Sequence, residues 1–212
     1  GEGLKIRTET KVARVEPSGE AWRVLSETLE TFEAKTVILN MPAEQALNLC
    51  GFELGDMKGQ LEQVVMEPSF ALMFGFDKTF SPDWQGILVE TSDIISWISH
   101  DSSKRTSRDE TVLVIHSTPQ FARDHFDDNP ETVKAELLSN LATLDLSPSS
   151  FLPPPPWSDL QRWKYALPST FLDMKFLQCG SLYMCGDWCG GARLEAAYLS
   201  GAALAAHLLT PL

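Results

Sequence analysis

Residues 181–209 contain the feature that most limits the fold: a short apolar stretch, a glycine turn and an Ala-rich stretch in direct succession. Leu182 to Cys185 is typical of a buried strand, and Gly186-Asp187 with Gly190-Gly191 predicts a turn. From about Ala192 to Leu209 apolar residues recur at helical spacing, which predicts one helix face made of residues 194, 197, 198, 201, 205, 208 and 209.

The turn itself predicts a binding site. Glycines ahead of a helix let a ligand approach the backbone closely, and the free N–H groups of the first helical turn favour negative charge. The pattern therefore favours a receptor for an anion or a dipole. A purely structural connection is the alternative, because strand, glycine turn and helix often follow one another in α/β proteins.

The whole string is more specific: Cys185-Gly186-Asp187-x-x-Gly190-Gly191-x-Arg193-x-Glu195-x-Ala197-x-x-Ser200-Gly201. It resembles the C-terminal flavin motif of FAD-dependent amine-oxidase-like oxidoreductases, above all their renalase-like branch. The resemblance implies that the Gly186-Asp187 turn binds the ribityl chain of FAD through Asp187. It also implies that the helix start faces the pyrimidine end of the flavin, through the backbone of Arg193, Glu195, Ala196 and Ala197. The family usually has Gly at the position of Ala196.

The N-terminal part of the chain reads as a hairpin followed by a buried strand. The strand expected at Lys11 to Val15 resembles the family strand that meets the adenosine half of FAD, which implies a backbone contact from Val12 to adenine. The apolar run at 36–39 is typical of a strand buried on both faces of a parallel sheet. We expect the apolar face of the C-terminal helix to pack on Val37 to Leu39.

The pattern changes between Cys50 and Leu177. Strands are predicted at 70–76, 86–90, 94–99 and 111–116, and a helix is predicted from Asn129 to about Leu144. The Pro-rich residues 151–156 predict a stiff connector. This block therefore predicts an antiparallel sheet with a helix on it.

Within this block, the string Arg162-Trp163-x-Tyr165-Ala166-x-Pro168 resembles one found in renalase-like proteins. Trp163 and Tyr165 alternate along a strand, so both rings share one face. They are either core aromatics or, as the resemblance implies, part of a substrate pocket that looks toward the Gly186 turn. Catalytic residues are left unassigned, since His100, His116 and His125 are single histidines of a kind that is more often structural.

These patterns predict a mixed α/β (α+β) fold. Residues 1–50 and 178–212 would form the remainder of an FAD/NAD(P)-binding, Rossmann-like domain, and residues 51–177 an antiparallel-sheet substrate domain. The sequence contains no Gly-x-Gly-x-x-Gly motif, whose glycines hold the FAD pyrophosphate in the family. We therefore expect a truncated gene product, a fragment or a natural short form that binds FAD poorly.

Composition excludes several classes of function. A net charge of −12 repels a nucleic-acid backbone. Nothing at the N-terminus resembles a signal peptide, which predicts a cytoplasmic or organelle-stroma protein that is not secreted. The four cysteines lack the spacing of a metal site and predict buried thiols, and the C-terminal apolar stretch is too often interrupted by charge to cross a membrane.

Two functions follow from these observations. The first is an FAD-dependent oxidoreductase that transfers hydride from a small molecule, a reduced nicotinamide or an amine, to the flavin. The second is a flavin-free scaffold or interaction domain that retains the fold. In either case the strand at 36–39 would have one unpaired edge, which favours self-association.

Overall fold

The structure, a computed structural model, describes residues 3–50, 54–77, 83–106, 110–144, 146 and 154–210. In chain order its elements are β1 (Val12–Ser18), β2 (Ala21–Ser26), β3 (Thr31–Ala34), β4 (Val37–Leu39), α1 (Ala43–Cys50), α2 (Met57–Glu62), β5 (Val65–Asp77), β6 (Gly86–Leu88), β7 (Ile95–His100), β8 (Glu110–Ser117), α3 (Pro119–Asp124), α4 (Pro130–Leu141), β9 (Trp157–Thr170), β10 (Leu177–Cys179), β11 (Leu182–Met184) and α5 (Leu194–Leu209). The mixed α/β class is confirmed.

The chain forms two compact units. The first unit comprises Gly1–Met66 and Leu167–Leu212, and the second unit comprises Glu67–Ala166. The predicted domains instead had boundaries after residue 50 and before residue 178. The first unit extends further because α2 packs into its core through Met57 and Leu61, and because it includes the outer ends of the long strands β5 and β9.

The first unit contains two small sheets. One is an antiparallel meander in the order β1-β2-β3, and Gly19, at φ 64°, makes its first turn. The other has the order β10-β11-β4, in which β11 runs antiparallel to β10 and parallel to β4. The predicted strand at 36–39 is thus the edge strand β4, and it pairs with the strand that precedes the glycine turn.

The prediction that this strand is buried on both faces is wrong for one side chain. Val37 and Leu39 lie in the main core of the first unit, together with Leu182 and Met184 from β11. Ile38 points to the opposite face and is 48% exposed. The side chains of β4 alternate, so only one face of this edge strand is covered.

The C-terminal helix α5 was predicted correctly in place but not in orientation. Its buried residues are Ala196, Ser200 and Leu204, not the predicted face, and Leu194 is 89% exposed. Leu204 clusters with Tyr183 of β11 and with Cys185, which follows that strand, whereas Val37 and Leu39 belong to a different cluster. The helix therefore packs on the strand next to β4, through a face of small residues that hydropathy alone does not pick out.

The second unit is built on a five-stranded sheet in the order β6-β7-β8-β5-β9. Helices α3 and α4 cover one face through Phe121, Val133 and Leu137, which share a core cluster with Phe70, Ile98 and Leu113 from the strands. Asn129 caps α4 by accepting the N–H of Glu131 at 2.9 Å. The predicted antiparallel sheet with a helix on it is present. Residues 151–153 of the predicted stiff connector lie outside the described residues.

Candidate functional site

The glycine turn after β11 is shaped by a buried tryptophan. Gly186 has extended backbone, at φ 167°, so its need for glycine comes from packing and not from its dihedral angles. A Cβ atom on Gly186 would lie 2.6 Å from Nε1 of Trp188. That indole is fully buried and donates to the carbonyl oxygen of Met41 at 3.0 Å. The turn is thereby fastened to the segment that follows β4.

Asp187 begins a short 3-10 helix of three residues, Asp187–Cys189. Its Oδ1 atom accepts the N–H of Trp188 at 2.9 Å, and its carbonyl oxygen accepts the N–H groups of Gly190 and Gly191 at 2.9 and 2.8 Å. Burial raises the pKa of the carboxyl, and the hydrogen bond from Trp188 opposes that shift. The result is a half-buried carboxylate held at a fixed place, with acceptor capacity left for a ligand.

The start of α5 borders a cavity. Arg193 is the N-terminal cap residue, in extended conformation and without a side-chain hydrogen bond to the cap. The amides of Ala196 and Ala197 bond back to the Arg193 carbonyl at 3.0 and 3.4 Å, whereas the first amides of any helix lack intrahelical acceptors. A cavity of about 70 Å³ opens beside this turn, lined by Met174, Lys175, Gly190, Arg193, Ala196, Leu199 and Ser200.

Ala196 forms part of the wall of this cavity. Its side chain is buried, and its methyl carbon lies 3.7 Å from the position that a Cβ on Gly190 would take. The side chains of Arg193 and Glu195 lie in solvent and pair weakly with each other at 3.7 Å. Among the cofactor residues predicted at the turn and at the start of α5, the polar groups that are held in place are the backbone amides and the Asp187 carboxylate.

Ser200 holds the site together, although the sequence analysis assigned it no role of its own. Its Oγ accepts the N–H of Gly186 at 3.1 Å and donates to the carbonyl oxygen of Lys175 at 2.6 Å. One buried hydroxyl thus connects the turn, the helix and the segment before β10. A serine on the inner face of an otherwise Ala-rich helix is the signal that could have identified it.

The structure brings six predicted cofactor residues into one place: Gly186, Asp187, Arg193, Glu195, Ala196 and Ala197. Val12 lies on another sheet of the same unit, at the edge strand β1. An edge strand exposes part of its backbone N–H and carbonyl groups, as a backbone contact to a ligand requires.

Trp163 and Tyr165 lie on β9 in the second unit, and they share a face as predicted. Leu160, which has the opposite parity on this strand, packs against the core that α3 and α4 cover. The two rings therefore lie on the face away from those helices. That this face looks toward the Gly186 turn stays a prediction.

The remaining candidate residues are histidines and cysteines. His100 is buried at the end of β7, and His125 pairs with Asp128 at 2.8 Å. Cys50, Cys185 and Cys189 are buried thiols, as predicted, whereas Cys179 is only partly buried. Burial raises the pKa of Cys50 and of Cys189 to about 11. In the described part of the chain, no cluster of three or more acidic, His or Cys residues could hold a metal ion. No described helix is long and apolar enough to span a bilayer.

Replacing Asp187 by Asn is expected to stabilise the protein at neutral pH. The pKa of Asp187 is raised in the folded state, so its ionised form opposes folding, and the stability that the neutral carboxyl contributes is lost as the pH rises through the folded-state value. Asn retains the acceptor for the Trp188 amide without a charge. We expect the melting temperature to rise by about 2 °C at pH 7, and by less near pH 4.

The matched control is Asp56→Asn, which removes an exposed carboxylate that makes no side-chain capping bond at the start of α2. It should leave the melting temperature nearly unchanged at both pH values. An equal gain for both variants would show that net charge, and not the burial of Asp187, causes the effect.

The chain is similar to known flavoproteins. A family model described as flavin-containing amine oxidoreductase matches residues 2–209. A candidate protoporphyrinogen oxidase from Exiguobacterium sp. 255-15 is similar in structure, with a TM-score of 0.73, 17% identity and coverage of 97% of this chain and 48% of that one.

Two oxidases named for amines are also similar in structure. Putrescine oxidase bound to putrescine has a TM-score of 0.66, 14% identity and coverage of 95% of this chain and 49% of its own. Cyclohexylamine oxidase from Brevibacterium oxydans IH-35A has a TM-score of 0.65, 14% identity and coverage of 94% and 48%. The chain thus spans about half the length of these structures.

Proposed function

We propose, because this chain belongs to the family of flavin-containing amine oxidoreductases, that its parent protein is an FAD-dependent oxidoreductase of the renalase-like branch. In this proposal the parent oxidises a small molecule, a reduced nicotinamide or an amine, by hydride transfer to the flavin. The observation that carries it is the half-buried Asp187 carboxylate held beside the start of α5 and its cavity.

The donors and acceptors of the first unit fit FAD. Asp187 would accept hydrogen bonds from the ribityl hydroxyl groups, and the first amides of α5 would donate to the pyrimidine oxygens of the ring. Val12 would contact adenine through the exposed backbone edge of β1. Ala196, with its buried methyl, would form the wall behind the ring, where a larger side chain would fill the cavity.

FAD, when bound, supplies the hydride acceptor. The chain's own contribution is electrostatic, because the positive end of the α5 dipole favours negative charge placed at the start of that helix. The buried indole of Trp188 packed on Gly186, and the hydrogen bonds from the Gly190 and Gly191 amides to the Asp187 carbonyl oxygen, keep the turn in one conformation. Ser200 fixes the helix start relative to the turn, so the donors are positioned before the ligand arrives.

The second unit would supply the substrate side, with Trp163 and Tyr165 in the pocket. The similar structures support this proposal through their names, which describe oxidases of amines and of a porphyrinogen. Each acts on a small organic molecule, and the proposal gives this chain a substrate of that size.

The absence of a Gly-x-Gly-x-x-Gly motif in this sequence favours a parent with a further dinucleotide-binding segment. It equally favours the alternative, a flavin-free scaffold or interaction domain. Among the described residues β4 is an edge strand, and its position and the exposed Ile38 support self-association in the alternative case. For either function we propose a location in the cytoplasm or an organelle stroma.

The proposal can be tested on the parent protein. Antibodies raised against this chain would isolate the parent from its native source, and acid would release any bound flavin for identification by chromatography and fluorescence. We expect FAD in near-equal molar ratio to the protein. A parent that carries no flavin and regains no visible absorption on incubation with FAD would support the scaffold alternative.

A further inference from the structure

The five-stranded sheet of the second unit ends in the edge strand β6, which among the described residues pairs with β7 alone. The amide of Val89 donates to the carbonyl oxygen of Ser96 at 2.9 Å. At the other end of the strand, the amide of His100 donates to the carbonyl oxygen of Gln85 at 2.9 Å. In an antiparallel pair such bonds recur at every second residue. The N–H and carbonyl groups of Leu88 therefore point away from β7, at the edge of the sheet.

An apolar groove of about 290 Å³ lies beside this edge. It is lined by Ile87, Leu88, Val89, Glu90, Thr91, Leu144 and Leu146. Ile87, Val89 and Leu144 are partly buried and pack against the core under α3 and α4, whereas Leu88 is 65% exposed. An aliphatic side chain of a partner could bind in this groove while the backbone of that partner lies along the edge of β6.

The indole of Trp97 holds this short strand in place. Trp97 pairs with Leu88 across β6 and β7, and its ring lies on Gly86, where a Cβ atom would come within 2.5 Å of the ring. The indole can occupy this position because Gly86 has no side chain. The edge is thus in position before a partner arrives, and only the partner has to be ordered on binding.

The charge along the edge decides which partner fits it. The segment 83–100 contains the carboxylates of Asp83, Glu90 and Asp93 but no Lys or Arg, and Glu90 is exposed in the lining of the groove. A second copy of this chain would bring the same carboxylates to the same edge and a net charge of −12, so pairing between two copies is disfavoured. A segment that carries Lys or Arg is favoured instead.

We propose that the edge of β6 is a docking site for an extended, basic peptide segment of a partner protein, which adds a strand to the sheet. The partner backbone accepts the N–H of Leu88 and donates to its carbonyl oxygen, an aliphatic side chain enters the groove, and a Lys or Arg faces Glu90. In this mode of binding the main-chain bonds supply affinity and the side chains supply specificity. The site lies within the second unit and needs no flavin.

A fluorescein-labelled peptide, Ser-Lys-Val-Thr-Val-Lys-Ser, tests the proposal on this chain by fluorescence anisotropy at neutral pH. Its alternation puts both valines on one face, toward the groove, and the central Thr opposite Leu88. N-methylation of that Thr removes the central donor and should weaken binding about fivefold, within the range of one net hydrogen bond. Replacing both lysines by Glu should weaken binding at least threefold or so, because the carboxylates then face Glu90.

Variants of the chain place the binding at this edge. Leu88→Pro removes the outward N–H without breaking a bond to β7, a position at which edge strands tolerate proline, and it should weaken peptide binding about fivefold or more. Leu88→Ala, the matched control, retains the N–H and should lose less affinity than Leu88→Pro. Glu90→Gln should narrow the preference for the Lys peptide over the Glu peptide about threefold. Circular dichroism checks that each variant is folded.

Equal binding of the N-methylated peptide, or an unchanged affinity in folded Leu88→Pro, would overturn the proposal. Sedimentation of the chain tests the other occupant of the edge. Self-association that Leu88→Pro abolishes, together with no binding of the peptide, would show that the edge pairs with a second copy and that the proposal is wrong. Glu90→Gln keeps the backbone edge intact, so an unaltered peptide preference in this variant would overturn the assignment of a basic partner. None of these outcomes bears on flavin binding at Asp187.

Discussion

Replacing Trp188 by Ala should lower the free energy of unfolding of the first unit by about 3–5 kcal/mol. The Trp188 side chain is fully buried in the core that also holds Leu39, Leu182 and Met184. Truncation removes its buried apolar surface and leaves a cavity. It also removes the indole donor of the Met41 carbonyl oxygen.

Chemical denaturation followed by circular dichroism, with amide hydrogen exchange of β11, measures the effect. Trp163→Ala removes the same side chain from an exposed position and should cost less than about 1 kcal/mol. Gly186→Ala tests the same packing by leaving the indole of Trp188 in place and adding a methyl group that would overlap it. If Trp188→Ala unfolded at the same denaturant concentration as the wild type, the indole would not hold the turn.

The second large effect concerns FAD. We expect this chain alone to bind FAD about a hundred- to ten-thousandfold more weakly than the flavin-binding parent proposed above. This sequence lacks the Gly-x-Gly-x-x-Gly motif that would donate hydrogen bonds to the FAD pyrophosphate. A hydrogen bond to a charged group contributes about 1.5–3 kcal/mol, so the loss of two such bonds accounts for this range. The chain's net charge of −12 adds repulsion of the phosphates.

Titration of this chain with FAD, followed by quenching of flavin fluorescence, measures the affinity. The residual binding should depend on Asp187, so Asp187→Ala should reduce it about tenfold, in keeping with the loss of one hydrogen bond to a charged group. Asp56→Ala, which removes an exposed carboxylate of the same unit, is the matched control. Submicromolar binding by the chain alone would show that tight FAD binding does not require the Gly-x-Gly-x-x-Gly motif. An unchanged FAD affinity in Asp187→Ala would show that Asp187 does not bind the cofactor.

Much of the candidate site can be predicted from the sequence because it is local. The strand at 182–184, the turn and the helix that begins at Leu194 follow one another without insertion, and each has its own signal in apolar runs, glycines or spacing. Short elements are harder to predict from the sequence. The six-residue helices α2 and α3 were missed, since six residues contain too few turns to establish a period.

The orientation of α5 shows where local information ends. The predicted face follows the large apolar residues, yet the helix turns Ala196, Ser200 and Leu204 inward. The hydropathy of Ala differs little from that of the neighbouring residues, so the sequence pattern does not single out one face of α5 as the buried one. The deciding contacts come from elsewhere in the chain, since Ser200 bonds to the backbone of Gly186 and of Lys175.

By itself, the sequence determined the kind of elements and the family, because backbone preference, side-chain alternation and a long motif are properties of contiguous residues. Only the tertiary structure decided that β4 is an edge strand with Ile38 uncovered, that Trp188 closes the turn against Met41, and that Trp97 and His116 meet on one sheet face. These features depend on strand order and register between distant segments, where the free energy of packing outweighs local preference.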